Sequence, residues 1–180
     1  MIVTQVSSEF FRGAAEFEQT NRGVRPHRLP AHVRAQFPDP QLLLVESQPS
    51  GVRVAFDTTA ERVELELLPA RSVYTGIDRP RGRVDVFVDG EKFASDELTG
   101  GDAVEVDLQT GAMSLREGPS HTTTIEGLAA GETKRVEFWL PHNESIRLVE
   151  LRTDAPVAPV APDRRVWVHH GSSISQGSNA

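Results

Sequence analysis

Between residues 41 and 151 apolar side chains recur at every second position, and that spacing restricts the fold more than any other feature of the chain. Val63, Leu65 and Leu67 alternate with Arg62, Glu64 and Glu66. Val52, Val54 and Phe56 alternate with Arg53 and Ala55, and Val84, Val86 and Val88 with Asp85 and Phe87. Successive side chains of a strand point to opposite faces, so each run makes a strand with one apolar and one polar side. Asp89-Gly90 ends the third run and supplies the positive-φ pair of a two-residue hairpin, with its return strand over residues 91–94. The same reading places strands at 42–46, 104–108, 122–125, 136–140 and 146–151. About nine short strands punctuated by Gly, Pro and Asp, with no long helix, predict an all-β fold, an antiparallel β-sandwich over residues 41–153. A slip of one residue would turn every valine face to water, so the register is expected to be firm.

The first forty residues lack this alternation and are expected to form an arm packed on the sandwich. Phe10, Phe11, Ala14, Ala15 and Phe17 predict a short helix with a ragged apolar face within residues 9–19. Further on, Pro26 and Pro30 hold the backbone extended. Arg25, His27, Arg28, His32 and Arg34 crowd this stretch. They admit two readings: an anion site, or an arm whose arginines pair with nearby acids. The second is the expectation, because scattered surface charges rarely amount to a site.

Composition narrows the function. A formal net charge of −7 speaks against a nucleic-acid partner, which calls for a basic stripe. There is no cysteine, hence no disulfide framework or thiolate metal site. Acids such as Asp96, Glu97 and Asp102 lack the spacing of a calcium loop, and no cofactor or metal is expected. Residues 1–11 have neither the basic start nor the apolar run of a signal peptide, and nothing approaches the ~20 apolar residues of a membrane span. A cytoplasmic protein without membrane contact is expected.

The C-terminal region changes character again. Pro156, Pro159 and Pro162 fall at every third position, the mark of a polyproline II spacer of roughly 3 Å per residue. It is expected to span residues 154–164 and to separate the sandwich from residues 165–180. Val166-Trp167-Val168 carries no alternating charge and reads as a strand covered on both faces, with Trp167 in its core. Gly171-Ser172-Ser173-Ile174-Ser175-Gln176-Gly177 follows. A strand giving way to such a turn presents a hydroxyl at the strand's carboxyl end, where ligands of open α/β sheets gather. A serine held on such a turn, here framed by Gly171, Ser172 and Gly177, can be a nucleophile. His169 and His170 lack an orienting acid in sequence and are expected to be exposed. Trp139, facing opposite to Phe138 and Leu140, and Tyr74 are candidate stacking platforms for a sugar.

The run from Gly171 to Gly177 resembles block I of the SGNH (GDSL-type) ester hydrolases, Gly-Asp-Ser-Ile/Leu-Thr/Ser-x-Gly. Gly23-Val24-Arg25-Pro26-His27-Arg28-Leu29-Pro30 and Ile125-Glu126-Gly127-Leu128 extend the likeness. It implies a jelly-roll-like sandwich preceding a flavodoxin-like α/β catalytic domain, of which residues 165–180 are the first strand and nucleophile turn. It also implies that Ser173 attacks an ester, an acetylated carbohydrate among the candidates, and that the Ser173 backbone N–H is one oxyanion donor. Two departures stand out. The family's acid before the nucleophile is Ser172 here, and no Asp is followed by a His three residues on. Loss of triad members lowers rates by on the order of 10⁴–10⁶. The expectation is therefore the N-terminal part of a carboxylic ester hydrolase, truncated and inactive alone. The alternative is a non-catalytic carbohydrate-binding sandwich. Residues beyond about 154 are expected to be disordered, to dock on a sandwich edge, or to pair with a second copy, since an unpaired apolar strand invites association.

Overall fold

In chain order the N-terminal strands are β1 (Ile2–Thr4), β2 (Phe11–Arg12), β3 (Glu16–Thr20) and β4 (Gly23–His27), followed by helices α1 (Ala31–Gln36) and α2 (Pro40–Glu46). There follow β5 (Arg53–Thr58), β6 (Arg62–Tyr74), β7 (Arg83–Val88), β8 (Glu91–Glu97) and β9 (Asp102–Val106). The last five are β10 (Met113–Arg116), β11 (His121–Glu126), β12 (Lys134–Trp139), β13 (Ser145–Thr153) and β14 (Val157–Pro159). The structure, a computed structural model, describes residues 1–74, 76–161, 167–169 and 171.

These strands form two sheets. The larger runs β10-β9-β6-β13-β4-β3, with β11 also on β6 and β1 on β13; the smaller runs β14-β5-β12-β7-β8, with β2 also on β5. The pairs are antiparallel except β6 with β9, which run parallel. The apolar faces read from the alternation meet between the sheets: Val54, Phe56, Val63, Leu65, Leu67, Val84, Val86, Val136 and Phe138 are all fully buried. Each such side chain contributes about 1.5–3 kcal/mol relative to exposure, so this interior dominates the stability. Phe56 stacks on Phe138 with ring centroids 6.2 Å apart, and Phe10 meets Phe56 edge-on at 6.5 Å. At the β7–β8 turn Asp89 and Gly90 both take positive φ, 50° and 88°, as the two-residue hairpin requires.

The alternation breaks once within β13. Ile146 and Leu148 face the core, and so does Leu151, an odd step later. The register against β6 shifts between Leu148 and Glu150. This bulge resets the phase and leaves Val149 outside.

Several expectations are corrected. Residues 42–46 are helical within α2, not a strand: the Asp39 carboxylate accepts from the Leu42 N–H at 2.9 Å and Pro40 sits at the first turn, a strong helix start. Residues 9–19 hold no α-helix. A 3-10 turn, Ser8–Phe10, leads into β2 and β3, because Phe10 and Phe11 are plugs for the sandwich interior rather than one helix face. The stretch read as an arm thus supplies strands to both sheets. Within the expected spacer, Val157–Pro159 pairs antiparallel with residues 56–58, docking on the outer edge of β5. A proline is tolerated on such an edge because its missing N–H can face away from the ladder. Arg12 ties the two segments that share this edge by donating to the Val160 carbonyl. No helix among the described residues is long and apolar enough to cross a membrane.

Candidate functional site

Of the candidate site residues, Ser172, Ser173 and Gly177 lie outside the described residues, and so do Val166 and His170. Gly171 and His169 are exposed. Trp167 is 84% exposed and belongs to no strand among the described residues, against its reading as core; the His169 ring lies 5.5 Å from it. No sheet among the described residues offers Trp167 and Val168 a partner.

The two sugar-platform candidates are already engaged. Trp139 ends β12 half-buried and outward-facing, while Phe138 and Leu140 point inward. The Arg53 guanidinium lies over the indole, 4.6 Å from its centroid, and Phe87 abuts it at 6.3 Å. Arg53 is fixed in turn by Glu137 at 2.7 Å. Tyr74 closes β6, half-buried, with Arg79 4.8 Å from its ring centroid. Arginine on an aromatic face is itself a favourable contact, so ordinary packing accounts for both rings.

The charged N-terminal stretch builds the larger cleft. β13 begins at Ser145 opposite Ala70, so the last residues of β6 extend past it and leave a notch. Helices α1 and α2 and the β3–β4 hairpin wall that notch into a cleft of about 370 Å³, lined among others by Glu18, His27, Arg34, Leu43, Leu44 and Ser145. This volume lies in the range of small-molecule sites. His27 and Glu46 are each 3% exposed. The His27 Nδ1 stands 2.7 Å from Glu46 Oε1, and its Nε2 is 3.2 Å from Glu18 Oε2 and 3.3 Å from Arg34 Nη1. A ring nitrogen held by a buried acid is the geometry of an oriented base. Here the outer nitrogen is occupied by Glu18 and Arg34, and Ser47 and Ser145, which also line the cleft, bond to each other at 2.7 Å. The arrangement orders α2 against β4.

The pairing with acids expected of these arginines is seen for two of the three. Arg25 meets Glu18 at 3.0 Å, Arg34 meets Glu16 at 3.1 Å, and Arg28 donates to the Val45 carbonyl at 2.5 Å. Burial, the largest single influence on Glu18, raises its carboxyl; the His27 hydrogen bond with Arg25 and Arg34 overcomes it and holds the group below the usual carboxylate range. Burial lowers the Arg28 guanidinium, offset in part by Glu46. Of the two histidines in the stretch only His27 is buried; His32 is exposed. Sequence reasoning singled out His27 and the arginines but missed Glu18 and Glu46. The Asp39-Pro40 helix start was the available signal for Glu46, since it places residue 46 at the end of α2. Among the described residues no group of three or more His, Cys, Asp or Glu could hold a metal ion.

Comparison with known proteins extends this picture. A family model described as the N-terminal domain of SsfX3 matches residues 10–149. Among solved structures, the salicylyl-acyltransferase SsfX3 from a tetracycline biosynthetic pathway is 25% identical with a TM-score of 0.67, covering 85% of this chain and 39% of its own. A GDSL-like lipase from Bacteroides ovatus ATCC 8483 is 14% identical with a TM-score of 0.53, covering 87% of this chain and 42% of its own, a likeness of fold. The chain thus spans about two fifths of the length of these relatives. No curated protein matches the sequence.

Proposed function

The chain belongs to the SsfX3 N-terminal domain family, and on that premise we propose that it is the sandwich portion of a GDSL-related acyl-transferring enzyme whose nucleophile is Ser173. The observation that carries the reading is one of order. A family-matched sandwich over residues 10–149 is followed in the same chain by Gly171-Ser172-Ser173-Ile174-Ser175-Gln176-Gly177, which resembles block I of the SGNH hydrolases except for Ser172 in place of the acid.

In this reading Ser173 Oγ attacks an ester carbonyl while a base takes its proton. The tetrahedral oxyanion collapses, the alcohol leaves with that proton, and the acyl-serine passes its acyl group to water or to an acceptor hydroxyl. A relative that is a salicylyl-acyltransferase and another that is a GDSL-like lipase fit an enzyme that uses either acceptor. The base and the further oxyanion donors belong to sequence other than these 180 residues, which contain no Asp-x-x-His. The sandwich would support that catalytic part and wall one side of its cleft. The carbohydrate-binding alternative gains no support from Trp139 and Tyr74, since each ring carries an arginine.

The 180-residue chain is expected to hydrolyse p-nitrophenyl acetate at background rate. The product of the complete reading frame is expected to carry an Asp-x-x-His after residue 180 and to lose about 10⁴–10⁶ in kcat on Ser173→Ala. A frame without that pair, or a variant that keeps its turnover, refutes the assignment.

A further inference from the structure

Arg71 borders both the His27 cleft and a second cavity, of about 290 Å³, where β6 runs beside β9 with Arg71 opposite Ala103. Its lining includes Arg71, Arg81 and Arg116, three guanidiniums, against the single acid Glu117. The walls are stiff. Gly101 donates to the Pro119 carbonyl at 2.7 Å, and Gly118 lies so close to Gly101 that a Cβ on it would fall on the Gly101 carbonyl. Asp102, 4% exposed, accepts from the Gly118 N–H at 3.2 Å, from Arg22 at 2.9 Å and from Arg147 at 3.1 Å.

Every other cation around this cavity has an internal counter-charge. Arg81 is paired with the buried Glu144 at 2.7 Å, Arg116 with Glu105 at 2.9 Å, and Arg22 and Arg147 share Asp102. Arg22 also lies 3.8 Å from Glu117, which answers that acid. Arg71 is different. It is half-buried, yet among the described residues its guanidinium has no hydrogen bond, ion pair or ring contact, alone among the described arginines. A half-buried guanidinium has given up part of its hydration, and its five donors in a fixed fork suit a planar or tetrahedral oxyanion. The neighbouring Arg116 keeps donors beyond the Nε used on Glu105.

We infer that the cavity between β6, β9 and the 116–119 segment binds a small oxyanion, a carboxylate or phosphate group on a polar molecule, with Arg71 as its counter-ion. Arg81 and Arg116 are answered by their own acids, which leaves the charge of Arg71 for the ligand, and the close-packed glycines keep the backbone of the cavity wall in place. No aromatic side chain lines the cavity, so the body of the ligand is polar rather than aromatic. The inference does not depend on Ser173 or on any esterase reading.

The test is a titration of the purified 180-residue chain with inorganic phosphate and, separately, with citrate, followed through the backbone amides of Gly100, Gly101 and Gly118. Sodium chloride at matched ionic strength is the control. Saturable shifts at these amides with phosphate assign a phosphoryl ligand, with citrate a carboxylate, and with both the shared oxyanion chemistry. Arg71→Gln is expected to weaken that binding about tenfold to hundredfold, the loss of charge-assisted hydrogen bonds. Arg71→Lys should retain part of it. Arg83→Gln, which removes one cation of an exposed pair with Glu97 on the other sheet, should leave it unchanged. Equal shifts with chloride, no saturation with either oxyanion, or binding that survives Arg71→Gln overturns the inference. Because Arg71 has no internal partner, its Gln variant should melt like the parent, and that measurement separates loss of the site from loss of the fold.

Discussion

Replacing Asp102 by Asn probes the most heavily used carboxylate of the larger sheet. Its two oxygens receive Arg22 at 2.9 and 3.0 Å, Arg147 at 3.1 Å and the Gly118 N–H at 3.2 Å, joining β9 to β13, the β3–β4 turn and the 116–119 segment. Asn keeps one acceptor, but turns an NH₂ group toward guanidiniums and removes the charge they share. Hydrogen bonds to charged groups contribute about 1.5–3 kcal/mol each, whereas Arg22 and Arg147 are 31% and 19% exposed and recover part of that from water. The expected cost at neutral pH is about 2–3 kcal/mol, a fall in Tm of roughly 5–10 °C for a domain of this size. The cost should depend on pH. Burial, the largest single influence, raises the Asp102 carboxyl, but the Gly118 N–H and the two arginines overcome it and hold the group below the usual carboxylate range. A carboxyl depressed on folding adds stability that is complete above its unfolded pKa, about 3.9, and is lost as pH falls through the folded value. Urea denaturation of parent and variant should therefore show a gap that is constant above about pH 5 and narrows toward pH 3 and below. A cost under about 0.5 kcal/mol at neutral pH, or a gap indifferent to acid, would refute this reasoning.

Two further substitutions bear on the His27 cleft. Glu46→Ala strips the buried acid from His27 Nδ1 and is expected to cost about 2–3 kcal/mol, read as a shifted urea midpoint at unchanged slope. Asp39→Ala removes the α2 cap and should cost about 1 kcal/mol, with faster amide exchange confined to residues 40–46 as its local signature.

Much of the fold was legible because its signals are local. Val63, Leu65 and Leu67 announce their face within five residues, and Asp89-Gly90 announces its turn within two. The misreadings have equally definite causes. Residues 42–46 are apolar enough for a strand, but the Asp39 cap and Pro40 start a helix that ends by delivering Glu46 to His27. The phenylalanines at 10, 11 and 17 read as a helix face because periodicity cannot distinguish such a face from rings carried on a 3-10 turn and two strands. The charged N-terminal stretch was visible as a cluster, but nothing in it named Glu18 and Glu46 as partners of His27.

The sequence by itself determined that this chain makes sheets, which side of β5, β6 and β7 is buried, and that a Gly- and Ser-rich run at 171–177 follows the sandwich. Only the tertiary structure decided that β13 changes phase at a bulge, that Val157–Pro159 adds to the edge of β5, and that Arg22 and Arg147 converge on Asp102 while Arg71 is left over. The division has a physical origin. Alternation and turn chemistry act between residues two to four apart, where the string of letters displays them. Charge balance is settled between groups such as Arg22 and Asp102, 80 positions apart, and only folding brings them within reach.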